Sequence, residues 1–509
     1  MIFTTALAIR ADETGKAMAS SRYRHRAIVA DPLFVLPWQL GAEPFVVGAV
    51  ACGRQTGAFN LHVPGYPLNR TLHYRALLDF AHQFNAAFEA PAYGEVEECD
   101  RGGGRLLEVP LTLPQVIVPN GEAIALLKRL GRRLAYLPTA GTETPADPAL
   151  VRLGRHLQWL ARHARTPGQQ IILPLSQLLH EHYVVAMSDL EMKSLAALNA
   201  WIARPNGLHG FEEAKLAEGL SVGPVPDPRD GQRIREHMGA FNAGRDGRRD
   251  QATVNRHITG LRNQYREMTA PAWGLMLQVT ERERGRKEAP SVPRRERLDR
   301  VHFAEHLAWM NDQAGQGRRR TRATPLQAIK DKHVLETTAD LLLAEETTDD
   351  PLRMAPYLLT HKAFAGVIVE IHLDRRETAK LRAMRRPLIR IATNEMCTTP
   401  VGTKVWWATE PEGKEWIVRN VTPAGAGSHV ELVLQTSNAP KCGMPGIGDR
   451  VCFSTFSTGQ DYFRSLPATI PWTHRLPTET SIAEPLDVAG DGDRYADQIE
   501  RAHLGGKAA

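Results

Sequence analysis

The feature that most constrains the fold of this chain is a run of six short β-type segments between residues 364 and 456. Each segment is rich in Val, Ile, Leu or Trp, and turn sequences such as Pro411–Gly413 and Ala424–Gly427 separate them. The segments are Gly366–Ile371, Pro387–Ile391, Lys404–Ala408, Glu415–Val421, His429–Leu434 and Asp449–Phe453. Short strands at this spacing are typical of a small closed barrel. The sequence therefore predicts an antiparallel, OB- or SH3-like β-barrel over residues 361–475.

A second pattern predicts an α/β module over residues 21–145. The apolar run Phe45–Cys52, the turn Gly53–Gly57 and the alternating segment Phe59–Val63 together predict a β-hairpin. Helical spacing of apolar residues follows from Leu72 to Phe84, then a short strand Val116–Val118 and a further helix from Glu122.

The sequence predicts a mostly helical, basic region over residues 146–360. Apolar residues recur at helical spacing over Val151–His163 and Asp250–Met268, and Ser188 with Glu191 forms a capping-box sequence ahead of a third helix. The expected fold class is thus α+β with several domains. We expect a poorly ordered start over residues 1–20 and a loose tail over residues 476–509.

The cysteines and the hydropathy indicate the cellular compartment. The five cysteines are widely scattered and include no C-x-x-C pair, which argues against a disulfide framework and against a zinc knuckle. The sequence contains no run of 18 apolar residues, so it predicts no membrane-spanning helix. We expect a bacterial-type cytoplasmic protein.

Charge is unevenly distributed. The chain has 63 Lys and Arg against 57 Asp and Glu, but residues 244–333 hold 20 against 11. Basic residues concentrate in three clusters, and the first runs from Arg282 to Lys287 and continues to Arg294, Arg295 and Arg297. The other two clusters supply the predicted phosphate contacts, because flexible arginine-rich segments can wrap phosphate oxygens. They are Arg318, Arg319, Arg320 and Arg322 and, between the first two barrel segments, Arg375, Arg376, Lys380, Arg382, Arg385 and Arg386.

Trp406 and Trp407 are adjacent, so in a strand they point to opposite faces. One is expected in the barrel core, and Trp407 is the candidate for stacking on a base. The alternatives are that the charge clusters are solvated surface and that both indoles pack within or between domains.

His302, Glu305 and His306 fit the pattern H-x-x-E-H. Residues four apart share a helix face, so two imidazoles can bind Zn²⁺ while the glutamate activates water. The string is similar to the zinc motif of the pitrilysin-like metallopeptidases. That resemblance implies His302 and His306 as ligands and Glu305 as the general base, but no downstream helix clearly supplies a third carboxylate ligand.

Other catalytic patterns stand in the wrong context. Gly219–Gly223 fits G-x-S-x-G but follows a helical segment and precedes Pro224, and the chain contains no phosphate-binding loop sequence. The sequence therefore predicts a non-catalytic adaptor that binds DNA or RNA beside a helicase, nuclease or other processing enzyme. A zinc-dependent hydrolase and a protein-interaction scaffold are the alternatives.

Overall fold

A computed structural model describes residues 2–40, 43–65, 70–100, 106–243, 251–311, 325–379, 382–409, 415–435 and 444–457. Within these residues the α-helices are α1 (Ile2–Thr14), α2 (Arg70–Arg75), α3 (Leu78–Glu89), α4 (Gly121–Leu134), α5 (Pro148–His163), α6 (Leu175–His182), α7 (Leu195–Ala203), α8 (Gly210–Ala217), α9 (Pro228–Ala243), α10 (Gln251–Arg284), α11 (Val292–Asn311), α12 (Pro325–Asp349) and α13 (Pro351–Leu359).

The strands fall into an N-terminal and a C-terminal set. The first set is β1 (Met18–Ala19), β2 (Leu33–Leu40), β3 (Glu43–Arg54), β4 (Asn60–His62), β5 (Val96–Asp100), β6 (Leu106–Pro110), β7 (Val116–Val118), β8 (Ile172–Pro174) and β9 (Tyr183–Val184). The second set is β10 (Ala363–His372), β11 (Arg376–Ala379), β12 (Arg382–Arg385), β13 (Leu388–Thr393), β14 (Lys404–Trp407), β15 (Trp416–Ala424), β16 (Gly427–Leu434) and β17 (Arg450–Ser454).

Five of the described strands form the central sheet in the order β4-β3-β2-β7-β8. The predicted hairpin is present, because β3 and β4 pair antiparallel with Val50 opposite His62. Strand β2 pairs antiparallel with β3 and parallel with β7. Its sequence LFVLPWQL is almost wholly buried, because both faces of this sheet are covered by helices.

The two faces of the sheet carry two hydrophobic cores. The first core holds Leu33 and Val35 of β2 with helices α3, α4, α5 and α11. The second holds Phe34, Leu36 and Trp38 of β2 with α6, α7, α9 and α10. The first core therefore takes helices from both sides of residue 145, the second packs strands that precede this residue against helices that follow it, and β8 joins the same sheet. The boundary that we expect between an α/β module and a helical region does not separate two cores.

The N-terminal segment, for which we expect a loose start, forms a helix and a short strand. Residues 2–14 form α1, and β1 pairs antiparallel with β9. The carboxylate of Asp350 then anchors the following segment: its Oδ2 accepts hydrogen bonds from the Ser21 hydroxyl at 2.7 Å and from the Arg22 backbone N–H at 2.6 Å. A contact across more than 300 residues is invisible to local patterns.

The capping-box residues Ser188 and Glu191 begin a 3₁₀ turn and not the predicted α-helix. Ser188 and Glu191 do bond reciprocally, with the Ser188 backbone N–H 2.7 Å from Glu191 Oε2. They close a 3₁₀ turn, Glu191–Lys193, while helix α7 begins later, at Leu195, where the Ser194 hydroxyl accepts from the Ala197 N–H. A local capping signal thus located the turn but not the start of the α-helix.

The predicted C-terminal barrel is confirmed. Strands β10, β13, β16, β15, β14 and β17 close in that order, and every pair is antiparallel. Trp416 and Phe453 are fully buried at its centre. Gly427 lies so close to the Thr393 carbonyl that a side chain there would collide with backbone. Among the described helices, none combines the length and apolar character needed to cross a bilayer.

Helices α4 and α5 cross at glycines, which allows a direct test of the packing. A Cβ added at Gly154 would collide with the backbone of Leu134 and Ala135, whereas one added at Gly274 of α10 would meet open space. We expect Gly154→Ala to destabilise the fold by about 1–3 kcal/mol. Gly274→Ala should stabilise it by about 0.5–1 kcal/mol, because alanine is the better helix former. Urea unfolding of both variants checks the opposite signs, and equal effects would contradict this packing.

Candidate functional site

The predicted basic loop between the first two barrel strands is a β-hairpin. Strands β11 and β12 pair with Arg376 opposite Arg385 and form their own two-stranded sheet outside the barrel order. The chain leaves the barrel after β10 and returns to it at β13. We call residues 374–386 the basic hairpin. It holds six Lys and Arg against two acids.

Acidic residues neutralise part of this charge. Glu377 lies 2.5 Å from the guanidinium of Arg375 and 2.5 Å from that of Arg419 on β15. The hydrogen bond from Arg375 lowers the pKa of the Glu377 carboxyl, and a second bond from Arg419 adds to this effect. Together they outweigh desolvation, which tends to raise the pKa. One carboxylate between two guanidinium groups leaves a net positive charge, and it holds the base of the hairpin against the barrel.

The other described arginines of the hairpin make different contacts. Arg385 pairs at 2.9 Å with Asp374, whose side chain is 95% exposed, so water screens the pair and it contributes little. Arg386 donates to the backbone carbonyl of Gln435. Arg376 is exposed. Lys380 and the side chain of Arg382 lie outside the described residues.

Other predicted basic segments differ from this hairpin. Arg318, Arg319, Arg320 and Arg322 lie outside the described residues. The arginines from 282 to 300 belong mostly to the end of α10 and to α11, and they pair with acids: Arg282 with Glu283, Arg294 and Arg295 with Glu345, Arg297 and Arg300 with Glu97. Much of the charge excess read from the sequence therefore holds the helical body together.

Trp407 is partly buried against the barrel. Its side chain is half-buried against the barrel core, and its indole nitrogen is buried without a hydrogen-bond partner among the described residues. The partner strand β17 places Phe453 opposite it, and Phe453 is fully buried. The indole thus packs against the barrel core, and its stacking on a base stays a prediction.

The H-x-x-E-H residues all lie on α11, but their side chains do not converge on one point. His306 is buried and its Nε2 lies 3.1 Å from Nδ1 of His156 on α5. His302 faces Asp299, with 3.5 Å between Nδ1 and Oδ1. Glu305 is exposed. Helix α11 uses this face to pack against α5, so each imidazole is engaged by a different residue and the arrangement of a zinc peptidase is not formed.

The first of these contacts belongs to a buried chain of polar groups. Glu89 Oε1 lies 2.6 Å from His156 Nε2, and Arg152 donates to both carboxylate oxygens. Burial tends to raise the pKa of the Glu89 carboxyl, but hydrogen bonds from His156 and Arg152 outweigh it and hold the pKa at about 2. Burial in turn lowers the pKa of the His156 imidazole despite its bond to Glu89.

A surface cavity of about 590 Å³ opens beside this chain. Its lining includes Glu89, Arg152, Arg155, Tyr93 and His82. The Glu89 carboxylate already accepts bonds from Arg152, from His156 and, at 3.4 Å, from the Tyr93 hydroxyl. Since its lone pairs are used in this way, we assign Glu89 a structural role and not that of a general base.

The second contact belongs to a separate group of His163, Asp299 and His302. His163 Nε2 lies 2.8 Å from Asp299 Oδ1, and Asp299 Oδ2 accepts the backbone N–H of Gln170. Burial tends to raise the pKa of the Asp299 carboxyl, but the hydrogen bond from His163, the neighbouring His302 imidazole and the Gln170 N–H outweigh burial and hold the pKa at about 2. The indole of Trp159 stacks on His163 at 5.0 Å and on His306 at 4.4 Å between ring centroids.

Comparison with known proteins supplies no further assignment. No protein-family model matches the chain, and neither the curated proteins nor the solved structures provide a significant match. The function must therefore be argued from the geometry of the described residues.

Sequence reasoning missed Glu89, His156, His163 and Asp299. They come from three helices that are distant in sequence, and each is unremarkable in its own segment. Two signals were nevertheless present: His156 and His163 are seven apart on α5, and Asp299 precedes His302 by three on α11. Both spacings place the pair on one helix face.

The low pKa of Glu89 predicts a specific pH dependence of stability. Its ordinary value is 4.5, so the stabilisation is fully present above about pH 4.5 and is lost as pH falls towards 2. Glu89→Gln should cost roughly 3 kcal/mol at neutral pH. The gap between wild type and variant should narrow as the pH falls below 4.5.

Urea unfolding at a series of pH values from neutral to acidic measures this gap. The exposed Glu98 offers a matched control, and Glu98→Gln should change stability by less than about 0.5 kcal/mol at each pH. A Glu89→Gln gap that stays constant with pH would show that the carboxylate is not held ionised by its partners.

Proposed function

We propose that the protein is a non-catalytic, bacterial-type cytoplasmic accessory protein that binds nucleic acid through the basic hairpin of its C-terminal barrel. The observation that carries the proposal is the hairpin itself. Strands β11 and β12 form a two-stranded sheet outside the barrel order, and the segment 374–386 that contains them has six basic residues and two acids in its sequence. Such an element is suited to tracking a sugar–phosphate backbone, because phosphate contacts dominate non-specific binding.

The charge of the hairpin differs in kind from that of the helical body. Arg295 is buried and bound to Glu345, so it is not free to exchange partners. Arg385 pairs with a carboxylate that is almost fully in water, and Arg376 is exposed. Exposed pairs contribute at most about 1 kcal/mol, so a phosphate can displace the acid at little cost.

The small barrel supports the same interpretation. Barrels of this size commonly present loops and hairpins to single strands or to other proteins. The partner that we propose is an enzyme that processes DNA or RNA, such as a helicase or nuclease, with the helical body as the docking part. The four cysteines among the described residues are free thiols, which suits a reducing cytoplasm.

Fluorescence anisotropy with a labelled single strand and a labelled duplex, at about 50 and 200 mM salt, tests the proposal. Replacing Arg376, Lys380 and Arg382 with alanine should weaken binding at least tenfold at low salt. It should also reduce the slope of log affinity against log salt by about 2, because each lost phosphate contact removes about 0.7 on a single strand.

The control removes the same number of exposed cations outside the barrel. Arg162, Lys332 and Arg297 pair at the surface with Asp331, Glu336 and Glu97 respectively. Their replacement by alanine should leave the salt slope unchanged. Equal losses in both triple variants would show that net charge, not the hairpin, is responsible.

The arginine segment 318–322 is the second predicted contact. Replacing Arg318, Arg319, Arg320 and Arg322 with alanine should lower the affinity and the salt slope further. Wild-type protein that binds neither strand form at low salt would overturn the nucleic-acid proposal and favour the protein-interaction scaffold, which a stable captured partner would then identify.

A further inference from the structure

The group of His163, Asp299 and His302 has the donor atoms of a metal site. The Asp299 Oδ1 atom lies 2.8 Å from His163 Nε2 and 3.5 Å from His302 Nδ1, and the three ligand atoms all lie within 4.8 Å of one another. Bonds of about 2.0–2.1 Å in a tetrahedral zinc site place ligand atoms about 3.3 Å apart. The carboxylate and His302 are near that spacing already, and a small side-chain rotation would widen the shorter pair.

The surrounding structure holds these donors in place. Asp299 and His302 are three residues apart on α11, so they share a face, and His163 is the last residue of α5. The Gln170 backbone N–H fixes the second carboxylate oxygen of Asp299, and the indole of Trp159 stacks on the His163 ring at 5.0 Å. Outer contacts of this kind orient metal ligands and increase affinity.

One buried nitrogen of the group lies near the carboxylate without a hydrogen bond to any described residue. His302 Nδ1 is buried and makes no hydrogen bond within the described part of the chain, although it faces the carboxylate oxygen. An imidazole with its proton on Nε2 presents the Nδ1 lone pair to a metal ion. A cation between Nδ1 and the carboxylate oxygen would be bound by both atoms.

The donor set and its exposure indicate the kind of ion. Two imidazole nitrogens and one carboxylate oxygen suit Zn²⁺ and similar transition metals, whereas Ca²⁺ and Mg²⁺ prefer oxygen ligands alone. His163 and Asp299 are buried, while the His302 side chain is 43% exposed.

We propose that His163, Asp299 and His302 bind one divalent transition-metal ion of the zinc class, which ties the end of α5 to α11. The site shares only His302 with the H-x-x-E-H pattern. His306 is bound to His156 and Glu305 is exposed, so neither takes part. The ion stabilises the helical body, and the site is independent of the proposed nucleic-acid contact.

The experiment uses the full chain freed of metal with a chelator and then titrated with Zn²⁺ against a competing indicator dye. We expect one zinc ion per chain with micromolar or tighter affinity, and a rise in Tm of a few degrees, because an ion that binds only the folded state stabilises it. Co²⁺ in the same site should give the visible absorption bands of a four- or five-coordinate nitrogen and oxygen site. Wild-type protein that binds neither ion overturns the proposal.

Two variants decide the ligand set. His302→Gln changes a half-exposed side chain, so the fold is retained and the affinity for Zn²⁺ should fall at least a hundredfold. Glu305 is the residue that a zinc peptidase site would need. Because the proposed site does not use it, the Glu305→Gln variant should retain both the zinc affinity and the rise in Tm. If the His302→Gln variant binds Zn²⁺ as tightly as the wild type, the assignment is overturned. Loss of zinc binding in the Glu305→Gln variant would overturn it as well.

Discussion

The burial of both faces of strand β2 is the constraint on which the rest of the structure depends. Alternate side chains of this strand enter two different cores, with Val35 on one side and Phe34 and Trp38 on the other. A strand that is apolar on both faces must be covered on both faces. Helices from residues 78 to 311 supply that cover, so segments far apart in sequence become one body.

Two contacts fix the longest of these helices to the strand. Trp38 donates its indole N–H to the Thr269 hydroxyl at 2.9 Å, and the Tyr265 hydroxyl donates to the Gln39 carbonyl at 3.0 Å. A Cβ at Gly48 would collide with that tyrosine hydroxyl, so the approach of α10 requires glycine there. Buried polar groups are thereby satisfied within an otherwise apolar core.

The packing of α5 against α11 solves the same problem with imidazoles. Buried histidines need hydrogen-bond partners, and Glu89 and Asp299 supply them. This explains why the H-x-x-E-H spacing is present without forming the arrangement of a peptidase. The second of these groups, with His302, is the site at which we propose a metal ion.

Local patterns in the sequence determined the secondary-structure elements that depend mainly on short-range interactions. The six barrel strands and helices α4 and α5 follow from alternation, helical spacing and turn residues, since each buries one face whatever its partner. The sequence also located the excess of basic residues in the hairpin, because charge counts need no coordinates. It could not determine which arginines are neutralised, since Glu345 lies about 50 residues from Arg295.

Only the tertiary structure decided where the domains meet and which histidines are neighbours. Strand β8 joins the N-terminal sheet by parallel pairing with β7 across more than 50 residues, and no local signal records such a pairing. Asp350 orders the N-terminal segment from the far side of the chain in the same way. His163 meets Asp299 and His302 only because α5 and α11 pack together. Side chains from distant segments acquire a common chemistry only when the burial of apolar surface brings their backbones within contact distance.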